Sequence, residues 1–131
     1  MRVLIVEDDF TSRLLLHKFL SDYGECHVAV NGREAVQAFQ RAKQEGKKFD
    51  LICMDIMMPE MDGHQALREI RALEEATGTL SGDAVIIIMT TGLEDTKNLL
   101  ESFQGWCDAY LTKPIDTAKL LGHLKSFALI A

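Results

Sequence analysis

Cysteine is scarce in this chain, and the little there is follows no binding pattern. Cys26, Cys53 and Cys107 are odd in number, widely separated and free of any CxxC or Cys/His spacing. That excludes a disulfide framework and a zinc site and leaves reduced, mostly buried thiols. Long apolar runs are missing too. None approaches the ~20 residues needed to span a bilayer, and Met1-Arg2-Val3-Leu4-Ile5-Val6 meets Glu7-Asp8-Asp9 before a signal-peptide core is complete. A cytoplasmic location is therefore expected. Positive charge is also short, with 14 Lys and Arg against 20 Asp and Glu, a net charge of −6 and a pI near 5.1. Nucleic acid and anionic membranes both present phosphates that an acidic surface repels, so neither is expected as a partner; a protein or a cation fits better. His17, His27, His64 and His123 show no metal-ligand or nucleophile-base spacing, and no repeat or low-complexity tract is present.

What is present is enough for one core. A length of 131 residues with 47% hydrophobic residues suits a single domain over residues 1–131, with no output domain expected beyond it. Short β-rich apolar runs alternate with stretches of helical period, the pattern of a parallel sheet covered by helices on both faces. The strand candidates are Val3 to Val6, Cys26 to Val30, Leu51 to Asp55, Ala84 to Thr90 and Ala109 to Thr112. The first, third and fourth read as the most buried; the second is more polar and suits an edge. Helical periods appear at Leu15, Leu16, Phe19, Leu20 and Tyr23, at Ala35, Val36, Phe39 and Ala42, at Leu67, Ile70 and Leu73, and at Leu99, Leu100 and Phe103. A last helix from about Asp116 carries Leu120, Leu121, Leu124 and Phe127 on one face. Gly24 and Gly46 stand where helix C-termini are expected. Glu74 to Asp83, with two glycines and no apolar period, reads as a long surface loop.

In an open α/β sheet, ligands bind beyond the carboxyl ends of the strands. Here the first strand ends in Glu7-Asp8-Asp9, the third in Asp55, the fourth in Thr90-Thr91, and the fifth leads into Lys113-Pro114. Converging carboxylates repel one another unless a cation is present, and hard oxygen ligands suit Mg²⁺. Asp9 and Asp55 are expected to bind it directly, Asp8 directly or through water, and the Met57 main-chain carbonyl completes the set. A metal-assisted carboxylate is a competent nucleophile toward phosphorus, so Asp55 is the expected phosphoacceptor, with Thr91 and Lys113 receiving phosphoryl oxygens. Taken singly, these residues have plain structural readings. Asp8 and Asp9 could cap the first helix, and Asp55, before Ile56-Met57-Met58-Pro59 and Asp62-Gly63, could be a turn aspartate. Their joint placement at successive strand ends is what argues for chemistry.

These residues carry a resemblance to the receiver domain of two-component response regulators, over essentially the entire chain. Its carriers are Val3-Leu4-Ile5-Val6-Glu7-Asp8-Asp9, Asp50 through Gly63, Thr90-Thr91-Gly92 and Tyr110-Leu111-Thr112-Lys113-Pro114. The resemblance implies a flavodoxin-like doubly wound five-stranded sheet of order 2-1-3-4-5. It also implies phosphoryl transfer to Asp55 from a phosphohistidine on a sensor kinase or histidine phosphotransfer protein, with slow self-catalysed dephosphorylation. By matched position, Asp8 and Asp9 are the acidic pair, Thr91 the switch hydroxyl, Lys113 the site lysine and Tyr110 the switch aromatic. The peptide before Pro114 is expected to be cis. Thr91 is preferred to Thr90 on the 22-residue step to Lys113 and on side-chain alternation. Met57 and Leu93 flank the site, which suggests limited water positioning and a persistent phosphoryl state. The implied output passes to a downstream protein, or to a phosphorylation-dependent homodimer, through the face of the fourth helix, fifth strand and last helix. Trp106 stands where this family usually has a small residue; as a large indole it suits the core, with a partner-binding patch the alternative.

Two other chemistries fit less well. A haloacid-dehalogenase-type phosphatase needs its nucleophile at the end of the first strand in a DxD arrangement, whereas Glu7-Asp8-Asp9 are adjacent. A flavin-binding protein of similar topology needs a Ser/Thr/Gly phosphate cradle there, which Glu-Asp-Asp would repel.

Overall fold

The structure, a computed structural model, describes residues 1–58, 60–79, 81–92 and 106–131. Its five strands are β1 (Arg2–Val6), β2 (Glu25–Ala29), β3 (Leu51–Asp55), β4 (Ile86–Thr91) and β5 (Ala109–Thr112). The helices among the described residues are α1 (Phe10–Leu20), α2 (Gly32–Gln44), α3 (Gly63–Ala76) and the C-terminal α4 (Thr117–Ser126). The helix expected around Leu99, Leu100 and Phe103 lies outside the described residues.

All four strand pairings are parallel, in the order β2-β1-β3-β4-β5. This is the expected doubly wound, flavodoxin-like sheet. Its strand order reverses between β1 and β3, which places a crevice at their carboxyl ends. Alternation along the strands builds two cores. On one face Leu4, Val6, Ile52, Met54, Ile87 and Met89 meet Ala35 and Phe39 of α2 and Leu67 and Ile70 of α3. On the other, Val3, Ile5, Leu51, Cys53, Ile88 and Leu111 meet Leu16 and Leu20 of α1 and Leu120 and Leu124 of α4. Strand β3 is buried along its whole length, while β2 is largely exposed, as its polar sequence implied for an edge.

Three sequence expectations need correction. Leu15 is not part of the buried stripe of α1; it points outward, and the core takes Leu16 and Leu20 instead. The expected loop from Glu74 to Asp83 begins later, because α3 continues to Ala76 and a short 3-10 turn covers Ser81–Asp83. Glu74 extends the inner face of α3 rather than leaving it. Its buried carboxylate is neutralised by Arg71 Nη1 at 2.7 Å and accepts the Val85 N–H at 2.8 Å. Arg71 also donates to the carbonyls of Val85 and Trp106 and to Asp108, tying α3 to the starts of β4 and β5. Trp106 itself is 43% exposed and is not a core residue.

Candidate functional site

Local devices bring several polar residues to the carboxyl edge of the sheet. Glu7 continues the alternation of Val3 and Ile5 one step beyond β1. Its side chain therefore enters the α1 and α4 face, where it is fully buried. Its backbone is fixed there by Glu7 N–H donating to the Ala29 carbonyl and by Arg13 donating to the Glu7 carbonyl. Asp55 ends β3 on the same face, in line with Cys53 and only 5% exposed. The turn after it is closed by Gly63, whose N–H bonds to the Ile56 carbonyl at 2.9 Å. A Cβ on Gly63 would stand 2.3 Å from the Asp55 carbonyl oxygen, so only glycine lets α3 begin this close to the Asp55 backbone.

Lys113 is the cation of the site. From beyond β5 its Nζ reaches 3.3 Å from Asp55 Oδ2 and 2.7 Å from Glu7 Oε2. The other Asp55 oxygen, Oδ1, accepts the Met57 N–H at 3.3 Å, and the other Glu7 oxygen accepts the Asp9 N–H at 3.1 Å. Burial raises the Glu7 pKa above its ordinary 4.5, with the Asp55 charge adding to the effect and the Lys113 ammonium opposing it. For Lys113, burial acts to lower the pKa, but the Glu7 and Asp55 carboxylates outweigh it and leave the pKa raised. A charged lysine clamped between two carboxylates is the result. The Lys113-Pro114 peptide is cis, as expected.

The acidic set differs from the expected one in one member. Glu7, Asp8 and Asp55 place carboxylate oxygens within 4.8 Å of one another. Among the described residues Asp9 does not join them. It is the N-cap of α1, and its Oδ2 accepts the Ser12 N–H at 2.9 Å, a bond that also lowers its pKa. The alternative cap reading thus holds for Asp9, and the cluster takes Glu7 in its place. The clue was in the alternation: a carboxylate in register after Val3 and Ile5 must point where Asp55 points. Three hard oxygen donors this close, with one ammonium for counter-charge, suit a small divalent cation.

The two threonines fall on opposite faces. Thr90 pairs in register with Asp55 and shares its face, whereas Thr91 continues Ile87 and Met89 toward the α2 and α3 face. Alternation therefore does not turn Thr90 away from the site, contrary to expectation, because register partners in a parallel pair share a face. Thr91 is fully buried, and its carbonyl accepts the Lys113 N–H at 2.6 Å. Tyr110, in register with Met89, lies on Thr91's face and is 53% exposed. The Met57 side chain is exposed beside the site; Leu93 lies outside the described residues.

Comparison with known proteins agrees with this fold. The family described as the response regulator receiver domain matches residues 3–125. The sensor protein GacS of Pseudomonas syringae pv. syringae is 40% identical over 119 residues, covering 91% of this chain and 12% of that protein. The chain spans 6% to 54% of the length of the curated relatives it matches. Among solved structures, the receiver domain of the Saccharomyces cerevisiae response regulator Ssk1, co-crystallised with the histidine phosphotransfer protein Ypd1, has a TM-score of 0.81 at 29% identity. That match covers 97% of this chain and 88% of the other. The receiver domain of the Pseudomonas aeruginosa sensor kinase PA1611, with a magnesium ion in its active-site cleft, has a TM-score of 0.77 at 29% identity, covering 96% and 95%.

Proposed function

This chain belongs to the response regulator receiver family, and from that membership we propose that it is a phosphorylation-operated switch in which Asp55 accepts a phosphoryl group. The donor in this reading is a phosphohistidine on a sensor kinase or histidine phosphotransfer protein. The observation that carries it is Asp55 itself: a nearly buried carboxylate, hydrogen-bonded on one oxygen by Met57 N–H, facing Lys113 with the other, and grouped with Glu7 and Asp8.

In the transfer, one Asp55 oxygen forms a bond to phosphorus while the phosphorus–nitrogen bond of the donor breaks and its electron pair returns to the imidazole. Glu7, Asp8 and Asp55 would hold Mg²⁺, with the Met57 carbonyl as the main-chain ligand. When bound, the ion neutralises phosphoryl oxygens. Lys113 pairs with a further phosphoryl oxygen, leaving Glu7 as it does so, and the Met57 N–H stays on the site as a second donor. Thr91 then turns its hydroxyl toward the new charge. The space it vacates is on Tyr110's face, so Tyr110 can move from its exposed position inward and reshape the surface around β5. A partner that binds the inward form must in turn stabilise the phosphorylated state. Hydrolysis of the aspartyl phosphate by the same site resets the switch.

The test is incubation with a small acyl-phosphate donor, with and without Mg²⁺, followed by intact mass measurement. The native chain gains one phosphoryl group only with Mg²⁺, and Asp55→Asn gains none. No gain on the native chain, or an equal gain on the variant, contradicts the proposal.

A further inference from the structure

Thr90 is a buried polar side chain that the mechanism above does not use. It is 1% exposed, and its Oγ1 has no hydrogen-bond partner among the described residues. Leaving a hydroxyl buried and unpaired is costly, and valine would fill the same volume without that cost. The position is also specific. Thr90 is the register partner of Asp55, on the sheet face that Glu7, Asp55 and Lys113 share. Because β4 lies between β5 and β3, the Lys113 side chain must cross the end of β4 to reach Asp55, and pass β3 to reach Glu7 just beyond β1. Two residues flank its path: Thr90, in register with Leu111, and Gly92 just past β4, where an added Cβ would lie 3.9 Å from both Lys113 Cβ and Cδ. Register and face therefore place the orphan hydroxyl beside Asp55, on the strand end that the lysine crosses.

Resting on the phosphoacceptor reading, we propose that Thr90 is a positioning residue for Lys113. When the phosphoryl group draws the ammonium off Glu7, the Thr90 hydroxyl accepts one of its three N–H bonds and holds it over Asp55. In the unphosphorylated site both of the ammonium's close partners are carboxylates, so the hydroxyl waits. Once the lysine moves, a hydroxyl on the strand it crosses stands in for the Glu7 carboxylate it has left. This role differs from that of Thr91, which faces Tyr110. Thr90 acts through the lysine and Thr91 through the aromatic, and having both lets one strand end serve capture and signalling separately.

The experiment compares native protein, Thr90→Val and Thr90→Ser for phosphorylation by a small acyl-phosphate donor with Mg²⁺, and for thermal midpoint without either. Valine removes an unpaired hydroxyl, so the midpoint of Thr90→Val is expected to match or exceed the native value. Its phosphorylation rate is expected to fall about tenfold, the scale of a lost hydrogen bond to a charged group. Serine restores the rate. A native rate in Thr90→Val overturns the proposal, as does a rate that falls only together with the midpoint, which marks a structural role. If the native chain itself takes up no phosphoryl group, it is the phosphoacceptor reading that fails; uptake at equal rates by native and Thr90→Val sinks the positioning role alone.

Discussion

Neutralising the acidic residues one at a time separates the proposed metal ligands from the helix cap. Glu7→Gln, Asp8→Asn and Asp9→Asn each remove one negative charge from three consecutive positions, yet the structure gives them unequal roles. Glu7 and Asp8 have oxygens within 4.8 Å of an Asp55 oxygen, whereas Asp9 is turned to Ser12. Near a protein surface, two unit charges about 4 Å apart interact by roughly 4 kcal/mol. Removing a carboxylate also relieves its repulsion with its neighbours and, for Glu7, frees the Lys113 ammonium, so about half of that survives in binding. A net loss of about 1.5–3 kcal/mol corresponds to Mg²⁺ binding roughly ten- to a hundredfold weaker for Glu7→Gln and Asp8→Asn. Asn is as good an N-cap as Asp, so Asp9→Asn should leave helix α1 intact and change Mg²⁺ affinity by less than about threefold. Calorimetric titration with Mg²⁺ measures all three. Equal losses in Asp8→Asn and Asp9→Asn, with Glu7→Gln near native, would refute the assignment of Glu7 to the cluster.

Other consequences can be checked independently. Because the Glu7 pKa is raised by burial, protons compete with the metal at a higher pH than an ordinary glutamate allows. Mg²⁺ affinity should therefore weaken as pH falls through that raised pKa and recover above it, and Glu7→Gln should flatten this part of the profile in the same titration. Gly63→Ala forces a Cβ to 2.3 Å from the Asp55 carbonyl oxygen, and the backbone shift it requires should cost about 1–3 kcal/mol. Chemical denaturation should show that loss, with slower phosphorylation from the displaced turn; unchanged stability would mean the turn has more room than the structure gives it. Glu74→Ala leaves Arg71 and the Val85 N–H without their buried partner, and about 3 kcal/mol, or roughly 10 °C in thermal midpoint, should be lost. A midpoint within a degree or two of native would contradict the clamp that joins α3 to β4 and β5.

Most of the fold was legible because burial and period agree. Strands β1, β3 and β4 carry apolar runs buried on both faces, and the buried positions Phe39, Ile70 and Leu124 sit on helical stripes that the sequence displays openly. Where expectation failed, the missing information was tertiary. Glu74 looked like loop because the partners that hold its charge in the core, Arg71 one turn earlier and the Val85 N–H just before β4, appear only in the folded chain. Leu15 looked like core because a periodic stripe does not say how wide the covered face is. At the site, Asp55 and Lys113 were legible from strand ends alone, but the choice among Glu7, Asp8 and Asp9 was not. The alternation of Val3 and Ile5 marks Glu7 as inward, but only if β1 keeps its pleat one residue further, and the engagement of Asp9 by the start of α1 completes the separation. Thr90 and Thr91 are likewise alike and adjacent in sequence, and the register of β4 sends them to opposite faces of the sheet.

Every step of the proposed switch depends on which residue takes the phosphoryl group. Borohydride reduction of the protein after treatment with a small acyl-phosphate donor and Mg²⁺ converts an aspartyl phosphate to homoserine, and peptide mass analysis then reports the modified position. The prediction is homoserine at residue 55, and at none of residues 8, 9 or 62. Phosphate retained as a stable ester on Thr90 or Thr91, or homoserine at another aspartate with Asp55 intact, would contradict it.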